Sequence, residues 1–298
     1  MRNQKKRLYL FSILIFIGGF LFVTIPSQSA EGIEKTKIDK ILEKSAEYCE
    51  KLKSSSLDFT CVEEIAERIY YQQQFTWSHL RPTGFFHKNT YVYDYQLIRK
   101  ENQITERRIL IEENGKKKNE KDAQLKTTFF NHKYVILGPV GLLSKSSQQD
   151  HNYKIIGEEM LRKEKVIVIE ATPKPHLIER PSHLFGKVWI KGDDFGIVKI
   201  EWNQVSMENF EKIVEKAKSL NAEPQITFVS EYDFEKNGIR FPSRHFIKES
   251  YIGSDVLAWS PSSPSGGSKK GTMRFKRLET TVTYEDYKFF TVETKMIR

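Results

Sequence analysis

The sequence is poor in cysteine and has only one long apolar run. Two of its 298 residues are Cys, which excludes a disulfide-dense miniprotein. The 16 Gly and 10 Pro are too few for a collagen-like chain, and a single apolar run excludes a multi-span membrane protein. Hydrophobic residues make up 39% and aromatic residues 12% of the chain, which is enough to build a sizeable core and excludes intrinsic disorder.

Common catalytic and cofactor motifs are also missing. The chain contains no H-E-x-x-H, G-x-S-x-G, P-loop or G-x-G-x-x-G motif. Its seven histidines do not have metal-ligand spacing, and adjacent pairs such as Glu63 and Glu64 would point to opposite faces of a strand. We therefore expect a non-catalytic protein with no metal and no cofactor, and an enzyme of unknown class ranks only third.

The N-terminus has the parts of a secretory signal peptide. Residues 1–7 carry four positive charges, residues 8–25 carry none, and Pro26 with small polar residues follows. This pattern predicts a signal peptide over residues 1–30, cleaved after Ser29 or Ala30. An uncleaved membrane anchor is the alternative, since 18 apolar residues are at the lower limit of a bilayer span. Either reading predicts export to the periplasm or cell envelope.

The formal net charge of +9 does not indicate a nucleic-acid partner. Residues 1–30 hold four basic residues and no acids, so their removal leaves a weak basic excess. The run Lys116, Lys117 and Lys118 has acidic neighbours and follows Gly115, which is typical of a solvated hairpin tip. We expect no nucleic-acid binding. Membrane contact is expected to be transient, or made through an uncleaved anchor.

The two cysteines are 12 positions apart. In an oxidising compartment such a pair predicts a disulfide between Cys49 and Cys61. Two free buried thiols are the alternative. No histidine lies near either residue to complete a zinc site.

Helical patterns are few. Residues 33–52 and 207–221 have apolar side chains at spacings of three and four, which predicts two amphipathic helices. Residues 124–150 interrupt the β pattern, and Gly138-Pro139 suits the start of a short helix. Residues 57–71 fit a helix or a strand equally well.

The remaining chain alternates apolar and polar residues, which predicts antiparallel strands joined by short turns. Residues 253–271 are rich in Ser and Gly and predict a mobile loop. The predicted strand regions are 90–98, 106–113, 152–159, 164–172, 186–202, 226–235, 239–251, 272–284 and 287–297. With no repeat and no linker, residues 31–298 are expected to form one domain. The fold class is mainly β (α+β), a strongly curved antiparallel sheet with helices covering its concave face.

Several segments resemble the LolA/LolB-type lipoprotein-localisation superfamily, which includes RseB-like envelope sensors. They are the N-terminal amphipathic helix, GKVWIKGDDFGIVKIEW, YDFEKNGIRFPSR and TVTYEDYKFFTVETKMI, and the resemblance spans residues 35–297. It implies a half-open β-barrel whose cavity is covered by helices and binds acyl chains.

The alternating apolar faces are the candidate ligand cavity, and a filled core is the alternative reading. The candidate residues are Tyr91, Tyr93, Tyr95, Val198, Ile200, Trp202, Ile226, Phe228, Tyr232 and Phe234. The expected partner is a lipid acyl chain or a lipidated protein. A sensor or scaffold of the same fold, which binds another envelope protein, is the alternative function.

Overall fold

A computed structural model describes most of the chain. The described residues are 28–54, 58–70, 86–100, 103–128, 133–177, 184–207, 210–258 and 269–290. The predicted signal peptide, apart from residues 28–30, lies outside them. None of the helices in the described residues is both long and apolar enough to cross a membrane.

In the described residues, four α-helices accompany the strands. They are α1 (Gln28–Ser54), α2 (Gly138–Leu143), α3 (Lys145–Gln148) and α4 (Phe210–Ser219). The predicted helices over 33–52 and 207–221 correspond to α1 and α4. Pro139 occupies the first turn of α2, where its missing N–H costs no hydrogen bond. Asn221, just after α4, has a φ of 47°, a conformation that Asn tolerates at helix ends.

The part of the chain that the structure describes has thirteen strands, in one large sheet and one small sheet. The strands are β1 (Phe59–Tyr70), β2 (Phe86–Lys100), β3 (Gln103–Glu113), β4 (Lys116–Glu120), β5 (His151–Leu161), β6 (Glu164–Pro173), β7 (Gly186–Lys191), β8 (Ile197–Trp202), β9 (Ala222–Glu231), β10 (Phe234–Lys236), β11 (Ile239–Phe241), β12 (Arg244–Ala258) and β13 (Lys269–Phe289). The large sheet has the order β4-β3-β2-β1-β13-β12-β9-β8-β7-β6-β5, and β10 pairs with β11.

The large sheet is antiparallel and open, with β4 and β5 at its edges. Its inner face is the one against which α1 and α2 pack, and side chains of both helices join the strands in the main hydrophobic core there. The fold class expected from the sequence, a curved antiparallel sheet with helices on one face, is confirmed. The ambiguous segment 57–71 is strand β1, which pairs with both β2 and β13.

Two predictions about the C-terminal part are wrong. The loop expected over 253–271 is shorter, because Val256 pairs with Gly271 and Ala258 with Lys269. Its remaining residues, 259–268, lie outside the described residues. Two strands were expected over 272–284 and 287–297, but a single strand, β13, runs through both regions as far as Phe289. Asp286 (φ 55°) lies in a bulge between them, and pairing with β1 resumes after it.

The hairpin β10–β11 does not continue the large sheet. Its turn contains Asn237 and Gly238, with φ values of 54° and 66°, which matches the left-handed geometry that Asn-Gly favours in hairpins. The Tyr48 hydroxyl on α1 accepts a hydrogen bond from the Arg240 backbone N–H at 3.1 Å. The hairpin therefore lies against the end of α1.

Candidate functional site

Most of the predicted cavity residues lie on the inner face. Tyr91, Tyr93 and Tyr95 on β2, with Ile200, Trp202 and Tyr232, are buried in the main core. The cover consists of Ile41, Tyr48, Cys49 and Leu52 from α1, with Leu142 and Leu143 from α2. Gly138 of α2 packs closely against this face, because a Cβ there would lie 2.5 Å from the Tyr232 Oη and 3.1 Å from Trp202. In this conformation, helices and strands fill the inner face together.

Val198 was expected beside Ile200 and Trp202, and this prediction is wrong. The pairing of β7 with β8 shifts by one residue between Trp189 and Ile190, so Ile197 takes the inner position opposite Ile190. Such a bulge moves the neighbouring side chain to the other face. Val198 packs instead with Val166, Val168 and Trp189, in a separate cluster on the outer face.

The predicted residues on β9 and beyond are spread out rather than gathered in one cavity. Ile226 and Phe228 are half-buried and reach smaller clusters near α4, although Phe228 also touches the main core. Phe234 lies beyond the end of β9, in the small hairpin, and is 40% exposed. Tyr232 is the only one of these four that is completely buried.

The expected disulfide is not formed. Cys49 and Cys61 are both free and buried. The Cys49 thiol faces the Pro139 carbonyl at 3.5 Å, in the contact between α1 and α2, while Cys61 lies on β1 opposite Tyr95. Burial raises the pKa of Cys49 to about 12 and that of Cys61 still further, so neither is a reactive thiolate. The alternative of two free buried thiols is the correct one.

A line of aromatic rings connects the core with the surface. Centroid distances are 6.1 Å from Tyr284 to Tyr95, 5.9 Å from Tyr95 to Phe59, 5.5 Å from Phe59 to Phe241 and 5.9 Å from Phe241 to Phe234. These five rings, with the adjoining Tyr287 and Phe289, form what we call the aromatic column. It begins among buried side chains and ends at the exposed ring of Phe234.

A buried ion cluster lies at the inner end of the aromatic column. Arg108 donates from Nε and Nη2 to the two carboxylate oxygens of Glu63, at 2.6 and 3.0 Å, and from Nη1 to Glu106 at 3.3 Å. The Tyr95 hydroxyl donates to Glu106 at 2.6 Å, and the Arg108 guanidinium lies 4.8 Å from the Tyr95 ring centroid. The Tyr134 backbone N–H also donates to Glu106.

Burial raises the pKa of the Glu63 carboxyl, and the bidentate Arg108 opposes that rise. The two carboxylates in turn raise the pKa of Arg108, which stays charged. Sequence reasoning missed this cluster. The signal that could have found it is strand alternation: Glu63, Glu67 and Glu249 each occupy an inner-face position of their strands, where an apolar residue is expected.

A polar pocket of about 280 Å³ adjoins the ion cluster at the surface. Glu106 and Arg108 on β3 form one wall, and the segment 122–125 with Tyr134 forms the other. Within the described residues, no group of three or more His, Cys, Asp or Glu side chains is placed to hold a metal ion. The site therefore combines an apolar interior with one buried ionic group, and its aromatic side chains reach the surface.

Comparison with solved structures recovers a similar fold. The LolA superfamily protein NE2245 from Nitrosomonas europaea matches at 14% identity and a TM-score of 0.37, over 87% of this chain and 96% of that chain. The chain is similar to LolA superfamily proteins. A Vibrio parahaemolyticus domain, described as that of an outer membrane lipoprotein-sorting protein, matches at 11% identity and a TM-score of 0.40, over 86% and 95% of the two chains. The Pseudomonas aeruginosa MucA/MucB complex matches at 9% identity and a TM-score of 0.20, over 83% and 99%.

No protein-family model matches the chain, and the search of curated proteins finds no significant match. The resemblance stated from the sequence is thus found again in the structure. At these identities and TM-scores it assigns no role to any residue of this chain.

Proposed function

We propose that this protein is exported and binds an apolar chain, the acyl group of a lipid or lipoprotein, between the inner face and its helical cover. The aromatic column is the observation that carries this proposal. It provides an uninterrupted apolar path from the Phe234 ring at the surface to Tyr95 in the interior. Aromatic and aliphatic side chains with few polar groups are the usual lining of small-molecule sites.

The bound chain takes the space that the helical cover fills in this conformation. Helix α1 contributes Ile41, Tyr48 and Leu52 to the core, while its other long side is exposed. Burial of an acyl chain yields about 0.8 kcal/mol per CH₂, so sixteen carbons gain on the order of 10 kcal/mol. That gain can offset the loss of a few helix contacts.

Native mass spectrometry of the protein, purified without detergent from an exporting host, tests the proposal. We expect added mass that organic extraction removes and identifies as acyl lipid. A bare mass, with no uptake of added fatty acid or lipopeptide, overturns the proposal.

Two substitutions on one strand provide a matched control. Ile200 and Val198 are both buried on β8, but they lie on the inner and outer faces respectively. Ile200→Thr introduces a hydroxyl into the proposed site and is expected to lower fatty-acid uptake, while Val198→Thr leaves uptake unchanged. Thermal unfolding of both variants shows whether each remains folded. Equal losses of uptake in two folded variants would contradict an inner-face site.

A groove between α1 and α3 favours a second candidate, an envelope sensor or scaffold that binds a protein partner. Its volume is about 640 Å³. Leu42 and Ala46 are its apolar lining residues, and four acidic side chains of α1 line it together with Lys145 and Gln148 of α3. Glu47 and Glu50 pair with lysines of α1, while Asp39 and Glu43 have no ion pair in the described part of the chain. Such a groove suits a basic amphipathic segment. Two results together would support this function over the first. One is a protein partner whose binding is lost in the variant Asp39→Lys/Glu43→Lys, and the other is a native mass without bound lipid.

A further inference from the structure

A row of charged side chains crosses the outer face of the large sheet. Lys88 on β2 lies opposite Arg68 on β1, Arg68 opposite Glu279 on β13, and Glu279 opposite Lys248 on β12. These four residues alternate with the inner-face residues of their strands, so their side chains point outward. Lys276 joins them, because its ammonium group donates to Glu279 at 2.9 Å. We call these five residues the basic row.

The basic row holds four cations and one acid. Glu279 is shared, since the Arg68 guanidinium also lies 3.9 Å from it and the Tyr70 hydroxyl donates to it at 2.7 Å. Lys88 and Lys248 make no ion pair with any residue that the structure describes. The row therefore carries positive charge that its own acid does not balance.

The segments beside the row do not cancel this charge. Residues 71–85, between β1 and β2, contain one basic residue and no Asp or Glu. Residues 254–275, in the hairpin of β12 and β13, contain three basic residues and one acid, Asp255. The positive excess therefore remains when both segments are counted.

Two aromatic rings adjoin the row. Phe86 lies opposite Tyr70 at the neighbouring position of β2 and β1, and the two ring centroids are 5.6 Å apart. The Arg68 guanidinium lies 5.6 Å from the Phe86 centroid, and the Lys276 ammonium lies 5.6 Å from the Tyr70 centroid. Because Phe86 is 46% exposed, this surface offers cations and an accessible apolar ring side by side.

From this arrangement we infer that the basic row binds an acidic, extended segment of a protein partner. The row crosses four adjacent strands, a distance of about 14 Å, which suits a long and narrow ligand rather than a compact one. Carboxylates at alternate positions of an extended segment are about 7 Å apart on one side, so successive carboxylates reach cations on different strands. An apolar side chain at the β2 end of the segment would contact Phe86.

Acidic side chains on the same face favour a single chain over a membrane surface as the ligand. They reappear four residues along the strands, about 13 Å from the row, and make no ion pair in the described part of the chain. These acids are Glu64 on β1, Glu112 opposite Val92 and Glu223 on β9. An anionic bilayer would meet them together with the cations, whereas one extended segment on the row stays clear of them.

Fluorescence anisotropy tests the inference with a labelled nonapeptide that has glutamate at alternate positions and one terminal phenylalanine. We expect binding that weakens with added salt, because the cations are open to solvent, and no binding of the same peptide with glutamine in place of glutamate. Lys88→Gln/Lys248→Gln is expected to lower the affinity about tenfold, since two ion pairs with the peptide are lost. Phe86→Ser is expected to lower it about threefold without changing its dependence on salt.

Lys212→Gln/Lys218→Gln on α4 is the matched control, because it removes the same charge from exposed positions outside the row. Thermal unfolding shows whether both double variants remain folded. The inference is overturned by the absence of salt-sensitive peptide binding, or by an equal loss of affinity in the α4 variant. Salt-sensitive flotation with phosphatidylglycerol vesicles, without peptide binding, would overturn it in favour of a membrane ligand.

The inference does not depend on the proposed acyl cargo, because the basic row lies on the outer face and the cargo site on the inner face. Fatty-acid uptake by Lys88→Gln/Lys248→Gln is expected to equal that of the natural protein. Loss of peptide binding with normal uptake, or the reverse in the Ile200→Thr variant, separates the two sites.

Discussion

At the scale of single residues, the buried charges set the main energetic constraint. Glu63 is completely buried, and Arg108 satisfies both of its carboxylate oxygens. A buried ion pair adds little net stability, because the cost of desolvating both groups offsets their attraction. Removing one partner is costly, because the other charge then stays in a medium of low dielectric constant.

Arg108→Met is therefore expected to destabilise the protein by about 3–5 kcal/mol at neutral pH. Without the guanidinium, burial raises the pKa of Glu63 further above its value in the unfolded chain. The folded state then binds a proton more tightly, so the deficit shrinks as the pH falls. Urea unfolding at pH 7.5 and pH 5.5 measures both effects, and Glu63→Leu/Arg108→Leu should recover most of the loss. A pH-independent deficit would contradict an uncompensated Glu63 charge.

His245 provides a pH dependence of opposite sign. Burial lowers its pKa to about 3, and its Nδ1 lies 2.9 Å from the Ser230 hydroxyl, which accepts a hydrogen bond from the Trp202 Nε1. The unfolded chain, with a His pKa of about 6.5, binds the proton more tightly than the folded protein. The contribution of neutral His245 to the free energy of unfolding is therefore fully present above pH 6.5. It is lost as the pH falls, by about 2 kcal/mol between pH 7 and 5.

The variant His245→Gln is expected to lose this part of the pH dependence. Chemical denaturation at several pH values from 7 to 5 gives the free energy of unfolding of the variant and of the natural protein, and the slopes of that free energy against pH are compared. Parallel slopes in the two proteins would show that His245 does not titrate on unfolding in this range.

At the scale of elements, helix α2 is held close to the sheet by one glycine. A Cβ on Gly138 would lie 2.5 Å from the Tyr232 Oη and 3.1 Å from Trp202. Neither ring can move easily, because both are buried and the Tyr232 hydroxyl donates to the Val135 carbonyl at 2.9 Å. The cover therefore depends on this position having no side chain.

Gly138→Ala is expected to push α2 away from the strands and to cost about 1–3 kcal/mol, as overpacked core positions do. Gly157→Ala on β5 is the control, since no atom lies within 4 Å of a Cβ there. Thermal unfolding of both variants measures the difference. If Gly157→Ala lowered the stability as much as Gly138→Ala does, close packing at Gly138 would not be the cause of the destabilisation.

At the scale of the whole molecule, the open sheet ends, within the described residues, at two edge strands, β4 and β5. Unpaired edge strands invite association with other chains, and lysines on an edge oppose it. Every residue of β4 is exposed, including Lys116, Lys117 and Lys118. The lysine run that the sequence predicted as a solvated hairpin tip is thus the sheet edge itself.

Replacement of the three lysines, as Lys116→Thr/Lys117→Val/Lys118→Thr, is expected to produce concentration-dependent association. Light scattering after size exclusion measures the molar mass. Lys212→Thr/Lys218→Thr on α4 controls for the loss of surface charge, since both side chains are exposed away from any edge. Unchanged mass in the β4 variant at high concentration would mean that the lysines do not protect this edge.

The sequence by itself determined the faces of the regular strands. Tyr91, Tyr93 and Tyr95 share the inner face because side chains alternate along a strand, and an amphipathic pattern was sufficient to place α1 and α4. Tertiary structure decided the rest. The bulge in β8 that turns Val198 outward depends on pairing with β7, and the Glu63–Arg108 pair joins residues 45 positions apart. Cys49 and Cys61 stay free because α1 and β1 place each thiol against a different neighbour, which spacing along the chain does not reveal.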